Sequence, residues 1–169
     1  IGAGLPINEP IANMVVDIGG GTSETALISL GGIVSLRAVR VGSFDFDAAI
    51  ITYIRREYGI AIGEQTAEEI KMTIGSAEVT DDEVCAEVRG RELMSGLPRT
   101  VLLTPEEVRE AIAEPVSTIV DSVLSCLGEA PPELAQDLIT QGINLVGGGA
   151  LLKGLDIRVA NASGVAVQM

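Results

Sequence analysis

The stretch Asn13-Met-Val-Val-Asp17-Ile-Gly-Gly-Gly-Thr22-Ser-Glu-Thr-Ala-Leu-Ile-Ser-Leu30 decides how this chain folds. A short apolar run ends in Asp17, three glycines and Thr22 follow, and a second β-rich run fills 23–30. Two strands joined by a glycine turn read as a hairpin. Gly31-Gly32 supplies the next turn, and 33–41 gives a third strand with Arg37 and Arg40 open to solvent, so the first 41 residues read as an antiparallel meander.

The same glycines carry the chemistry. Gly19, Gly20 and Gly21 permit backbone angles closed to other residues, so consecutive N–H groups can converge on a phosphate with no side chain between. Asp17, at the strand end, is placed to hold Mg²⁺ through water, and Thr22 offers a hydroxyl near the same phosphates. A bare glycine triplet would read as a plain hairpin turn; Asp-x-Gly-Gly-Gly-Thr between two apolar strands favours the phosphate. A P-loop would need a Lys after the glycines and a helix, and a dinucleotide fingerprint would need GxGxxG opening a helix; this stretch has neither.

Outward from the hairpin the period changes. Phe46, Ile50, Tyr53, Ile54 and Tyr58 recur at helical spacing, which predicts a helix over 45–58 stopped by Gly59. A second helix is expected over 64–74, strands over 84–89 and 99–103, and a loop over 90–98. Thr104-Pro-Glu-Glu107 combines an N-cap, Pro at the first helical position and a capping-box Glu, and an apolar stripe from Val108 to Leu127 follows. Pro115 should kink that helix without ending it, because the stripe stays in phase on both sides. A short helix from Pro132, a buried strand over 143–146, a glycine turn, another short helix and a closing strand complete the pattern. The expected fold class is α/β: a core of 1–41 and 104–169, with a smaller α+β lobe, 42–103, inserted between its parts.

Two further elements bear on a ligand. Gly147-Gly-Gly149-Ala150 sits between a strand and a helix about 125 residues downstream of the first triplet, where a turn can pass beneath a nucleoside. Alone it reads as a strand-to-helix connection. Glu68 and Lys71, in Ala67-Glu68-Glu69-Ile70-Lys71, share a helix face, which alone reads as an exposed ion pair.

Composition narrows the classes. At 169 residues, 47% apolar and 21% charged, the chain is too hydrophobic to be disordered and long enough for one well-cored domain or two small lobes. No repeat, low-complexity tract or linker is visible. No stretch approaches the roughly 18–20 continuous apolar residues that span a bilayer. With 24 acidic and 11 basic residues, a net charge of −13 excludes a nucleic-acid surface and argues against direct binding to anionic lipid. Lys71 and Lys153 are the only lysines, so a phosphate must be held mainly by backbone N–H groups and a metal ion. Cys85 and Cys126 lack CxxC spacing and the chain has no histidine, which suits a reduced, cytosolic setting. A first residue of Ile and a closing apolar run suggest a piece of a larger protein.

In order and spacing, these three elements resemble the actin, heat-shock chaperone and sugar-kinase superfamily. Within it the chain is similar to the MreB family of bacterial actins through MVVDIGGGTSE (14–24), EYGIAIGEQTAEEIK (57–71), IGSA (74–77), EVRGREL (87–93), GLPR (96–99), PPELAQDL (131–138) and GGGALLKGLD (147–156). The resemblance implies half of an actin-like, ribonuclease H-like ATPase: a mixed sheet with flanking helices plus the inserted lobe. It implies phosphate contacts at Gly19, Gly20, Gly21 and Thr22, and adenosine contacts at Ala67, Glu68, Glu69, Ile70 and Lys71 and at Gly147, Gly148, Gly149 and Ala150. Thr22 would be catalytic, positioning the attacking water with a glutamate upstream of residue 1. ATP and Mg²⁺ are the implied cofactors, with Asp17 reaching the metal through water.

The implied function is that of a filament-forming cytoskeletal protein that determines rod cell shape by organising cell-wall synthesis. The parent would be a slow ATPase coupled to polymerisation, and this half alone would be inactive. The partners implied are further copies in protofilaments and a RodZ-like member of the cell-shape complex. Membrane contact would come only through the missing half, and the filaments would be cytoplasmic, on the inner face of the membrane. A chaperone-type or sugar-kinase-type ATPase is the alternative within the superfamily. One departure stands out: where the family reads Gly-Gly-Asp before the first helix of the inserted lobe, this chain has Gly42-Ser43-Phe44, so a carboxylate is lost and Phe44 is expected to pack locally.

Overall fold

Alternating burial along the first strands, with Met14, Val16 and Ile18 inward on one and Ser23, Thr25 and Leu27 on the next, builds the expected meander. The computed structural model describes residues 4–6, 8–79 and 84–169. Its strands are β1 (Asn13–Ile18), β2 (Ser23–Ser29) and β3 (Gly32–Val39), followed by α1 (Ser43–Tyr58), β4 (Ile60–Ala61) and α2 (Glu64–Ile74). Then come β5 (Ala86–Glu92), β6 (Pro98–Leu103), α3 (Pro105–Gly128), α4 (Pro132–Gln141), β7 (Ile143–Val146), a 3-10 turn (Gly148–Leu151), α5 (Leu155–Ser163) and β8 (Val167–Gln168). In sequence the opening Ile1-Gly-Ala-Gly-Leu5 reads as the end of a helix running into a Gly-Leu-Pro turn, and that reading falls mostly on residues outside those described.

One sheet has five strands in the order β3-β2-β1-β7-β8. β1 pairs antiparallel with β2 and parallel with β7, so the sheet is mixed and β1 is its pivot. The second sheet is antiparallel, β4-β5-β6. The α/β expectation, a mixed sheet with flanking helices, therefore holds.

Besides shifts of one or two residues at element ends, two differences from expectation stand out. β5 runs to Glu92, so Gly90 to Glu92 are strand and not loop, and β4 was not anticipated at all. The causes are linked. β4 pairs with the end of β5, Ile60 with Glu92 and Ala61 with Arg91, and a Cβ on Gly90 would stand 2.7 Å from the Ala61 carbonyl oxygen. Gly90 is there to let a neighbouring strand pass, whereas in sequence it reads as a breaker.

α3 organises the core. Its N-terminus is capped as expected: Glu107 N–H donates to Thr104 Oγ1 at 3.3 Å and Thr104 N–H to Glu107 Oε2 at 2.9 Å. The helix runs 24 residues and continues through Pro115 without ending there, as expected. By length and composition alone it could cross a membrane, but its stripe Val108, Ile112, Val116, Ile119 and Val123 is buried in the protein core. α1 contributes Phe46, Ile50 and Ile54 to the same cluster, and both sheets join it through Leu27, Val88, Val101 and Ile143. Apolar burial at about 25 cal/mol per Å² drives this assembly. Cys126 is free and buried, and Cys85 is free and exposed.

Candidate functional site

β1 ends at Ile18 and the chain reverses within four residues, closed by Gly19 N–H donating to the Thr22 carbonyl at 2.9 Å. The first N–H groups of any helix lack intrahelical acceptors. Here the orphan donors of α1 find the loop: Ser43 N–H donates to the Gly19 carbonyl at 2.9 Å and Phe44 N–H to the Gly20 carbonyl at 2.8 Å. The loop's carbonyls are thus drawn toward α1, and among the described residues the N–H groups of Gly20, Gly21 and Thr22 have no acceptor. Consecutive free donors on a short arc form an anion cradle. Gly42 makes the approach possible, since a Cβ there would lie 2.5 Å from the Gly20 carbonyl oxygen.

The second glycine run lies beside the first. β1 and β7 are parallel neighbours, with Asp17 opposite Val146, so both loops leave the same edge of the sheet. Gly147 has φ +88, and a Cβ on it would meet the Ile18 carbonyl oxygen at 2.4 Å and Asp17 Oδ1 at 2.5 Å. A Cβ on Gly149 would reach Ile18 Cγ2 at 2.3 Å. Crevices beyond the carboxyl ends of adjacent parallel strands are the usual ligand sites of such sheets. Asp17 and Thr22 are exposed at this crevice, as are Gly147 and Gly148, while Gly149 and Ala150 are buried beneath it.

α2 forms the facing wall. Glu68 and Lys71 border a cleft of about 330 Å³ with Ser43, Phe46 and Met72, opposite Gly148, Gly149 and the 151–153 segment. Ala67 and Ile70 belong to the core, and Glu69 lies on the exposed side of α2, so two of the five sequence-selected residues reach the cleft. Lys71 also departs from its expected ion pair. Its ammonium sits 2.9 Å from the Asp47 carboxylate and 3.3 Å from the Ser43 carbonyl oxygen, away from a simple pairing with Glu68. Asp47, Met72 and Lys153 went unread in the sequence. For Asp47 the signal was faint: a carboxylate on the core side of a helix whose other inward positions are apolar.

A hook closes the cleft from behind. Ser76 and Lys153 form a parallel β-bridge, with Ala77 N–H donating to the Lys153 carbonyl at 2.8 Å and Ser76 Oγ to the same oxygen at 3.2 Å. It joins the strand-like exit of α2 to the loop after the second glycine run. Phe44, the departure noted above, stays largely in solvent and touches the first glycine run. It is 67% exposed, and its ring lies so close to Gly20 that a Cβ there would meet Cε2 at 2.7 Å.

The arrangement offers backbone donors for an anion, an apolar-sided cleft of nucleoside size beside them, and few cations. Comparison with known proteins agrees. A family model described as MreB/Mbl protein matches residues 1–169. The chain is 52% identical over 167 residues to the cell shape-determining protein MreB of Escherichia coli strain K12, covering 99% of this chain and 48% of that protein. It is 46% identical over 158 residues to the cell shape-determining protein Mbl of Bacillus subtilis strain 168, covering 92% of this chain and 47% of that one. The chain therefore spans about half the length of the curated relatives it matches. The crystal structure of MreB5 of Spiroplasma citri bound to AMPPNP superposes with a TM-score of 0.94 at 40% identity, over 99% of this chain and 50% of that one. The MamK double helical filament, at 21% identity and a TM-score of 0.75 over 92% of this chain and 48% of that one, shares the actin-like fold. A match along its whole length and an identity of half its residues leave one assignment: this chain belongs to the MreB/Mbl family.

Proposed function

We propose that this chain is the nucleotide-clamping half of an actin-like, filament-forming protein that determines rod cell shape by organising cell-wall synthesis. The observation that carries the nucleotide reading is the pair of glycine loops at the ends of β1 and β7, one with three N–H groups that find no acceptor among the described residues and the other flooring a cleft. Support comes from solved relatives described as bound to AMPPNP and to ADP at 40% identity. The family's cell-shape names support the cellular role.

In this reading Gly20, Gly21 and Thr22 donate to the phosphates, Glu68 and the stem of Lys71 flank the nucleoside, and Gly147 to Gly149 lie beneath it. Mg²⁺ fits the donor set only as an outer partner. Among the described residues no three of His, Cys, Asp and Glu converge, so exposed Asp17 would hold the ion through water while phosphate oxygens take the inner positions. Bound there, the ion would neutralise phosphate charge. Thr22 Oγ, exposed on the same loop, is the group we assign to orienting a water. Phosphoryl transfer needs positioning and charge stabilisation from both sides of a cleft, so this chain by itself turns over no ATP and the complete protein is a slow, polymerisation-coupled ATPase.

We divide the chain into a core lobe (1–41 and 104–169) and an inserted lobe (42–103), a division supported by the separate membership of the two sheets. Self-association into protofilaments, docking of a RodZ-like partner, membrane contact through another part of the protein and a site on the inner membrane face complete the proposal.

Calorimetry of the chain with Mg·ATP tests the split site: weak binding without phosphate release is expected, and submicromolar affinity with steady release overturns it. Sedimentation of the complete protein with ATP tests the filament. Reversible pelleting is expected; its absence, together with phosphorylation of a small substrate, would identify a kinase.

A further inference from the structure

Asp47 is a buried carboxylate that the nucleotide reading does not use. It lies on the second turn of α1, 8% exposed, with its side chain and that of Lys71 only 11% and 13% exposed. The other described ion pairs, such as Arg37–Glu129 and Arg56–Glu57, hold at least one partner much further into solvent. A charge pair withdrawn from water carries a desolvation cost that its mutual attraction barely offsets, so it is weak evidence of stabilisation. Its position suggests a different use.

Lys71 lines the cleft from α2, and its ammonium grips the Ser43 carbonyl in the first turn of α1. The N–H of that same Ser43 holds the Gly19 carbonyl, and its neighbour Phe44 holds Gly20. A continuous path of polar contacts therefore runs from Asp47 through Lys71 and Ser43 to the loop whose N–H groups at Gly20, Gly21 and Thr22 have no acceptor among the described residues. Lys71, held by Asp47 and Ser43, is not a free cation for phosphate.

We propose that Asp47 is a positioning residue for the nucleotide: by anchoring Lys71 it locks the nucleoside wall of α2 to the turn of α1 that shapes the phosphate loop. The inference rests on the nucleotide reading above and adds to it a residue that touches no ligand. Removing the anchor frees Lys71 to swing into the cleft and lets α2 drift relative to Gly19 and Gly20.

The test uses Mg·ADP calorimetry and thermal melting of the complete protein carrying this chain. Asp47→Asn is expected to lower the melting temperature and weaken Mg·ADP by at least about tenfold. The apolar exchange Asp47→Leu with Lys71→Met separates positioning from stability, since well-packed apolar side chains replace a buried pair with little cost in stability. It is expected to recover the melting temperature and leave the affinity at least about tenfold down. Wild-type affinity in either variant overturns the proposal, including the case where the double variant fails to fold and Asp47→Asn alone binds normally. If the unaltered protein binds no Mg·ADP, the nucleotide reading itself falls, and this inference with it.

Discussion

Gly147 and Gly21 belong to the two glycine runs, yet a methyl group would meet different surroundings at each. At Gly147, φ is +88 and the new Cβ would collide with the Ile18 carbonyl oxygen and with Asp17 Oδ1; at Gly21 nothing lies within 4 Å and φ is not left-handed. Gly147→Ala is therefore expected to destabilise the protein by at least about 1–2 kcal/mol, with Asp17 displaced. Gly21→Ala is expected to change stability by less than about 0.5 kcal/mol. Chemical denaturation of both variants checks the contrast, and equal losses would contradict the packing of the second loop against β1. Local patterns marked both runs as turns, because glycine is the residue such backbones admit. The reason each glycine is needed was not legible: at Gly42 and Gly147 it is the proximity of residues far away in the chain.

Between helices, the C-terminal turn of α1 is tied to the N-terminus of α3. The Tyr58 hydroxyl donates to Glu107, the same residue that caps Thr104. Donation to the Glu107 carboxylate, more than burial, pushes the Tyr58 phenol from 10.0 up to about 12. For Glu107, burial works toward a higher value, but hydrogen bonds from Tyr58 and from the Thr104 backbone and hydroxyl outweigh it and hold the carboxyl below its usual range. The signs follow. The Glu107 contribution is present above its unfolded pKa of about 4.3 and lost as pH falls through the lowered folded value. The Tyr58 contribution is complete below about 10 and lost as pH rises toward about 12. Thr104→Ala should cost about 1 kcal/mol at neutral pH, and Tyr58→Phe should flatten the alkaline limb of a melting-temperature profile; an unchanged limb would refute the tie. The cap itself was readable, since Thr-Pro-Glu-Glu is a local signal. The Tyr58 contact was not, because 49 residues separate the partners. β4 escaped for another reason: two residues are too few to display a period.

Across the whole molecule, the cleft exists because segments distant in sequence are hooked together. Ser76 bridges to Lys153, and Gly154, at φ +72, lies where a Cβ would come within 3.1 Å of Glu78. Gly154→Ala is expected to cost about 1–2 kcal/mol of stability and to weaken nucleotide binding, although residue 154 is not among the residues lining the cleft. Calorimetry and melting on that variant give the two readouts, and retained affinity with lost stability would assign the hook a purely structural role. By itself the sequence determined the two glycine loops, the α3 cap, the alternation of the meander and the α/β class, all of which rest on local backbone preference and on the 2.0 and 3.6 residue periods. Only the tertiary structure decided which of the Ala67–Lys71 residues face the cleft, that Lys71 answers to Asp47, and that the loop N–H groups of Gly20, Gly21 and Thr22 find no acceptor among the described residues. Those outcomes depend on pairings between separate elements, and no window of sequence contains both partners.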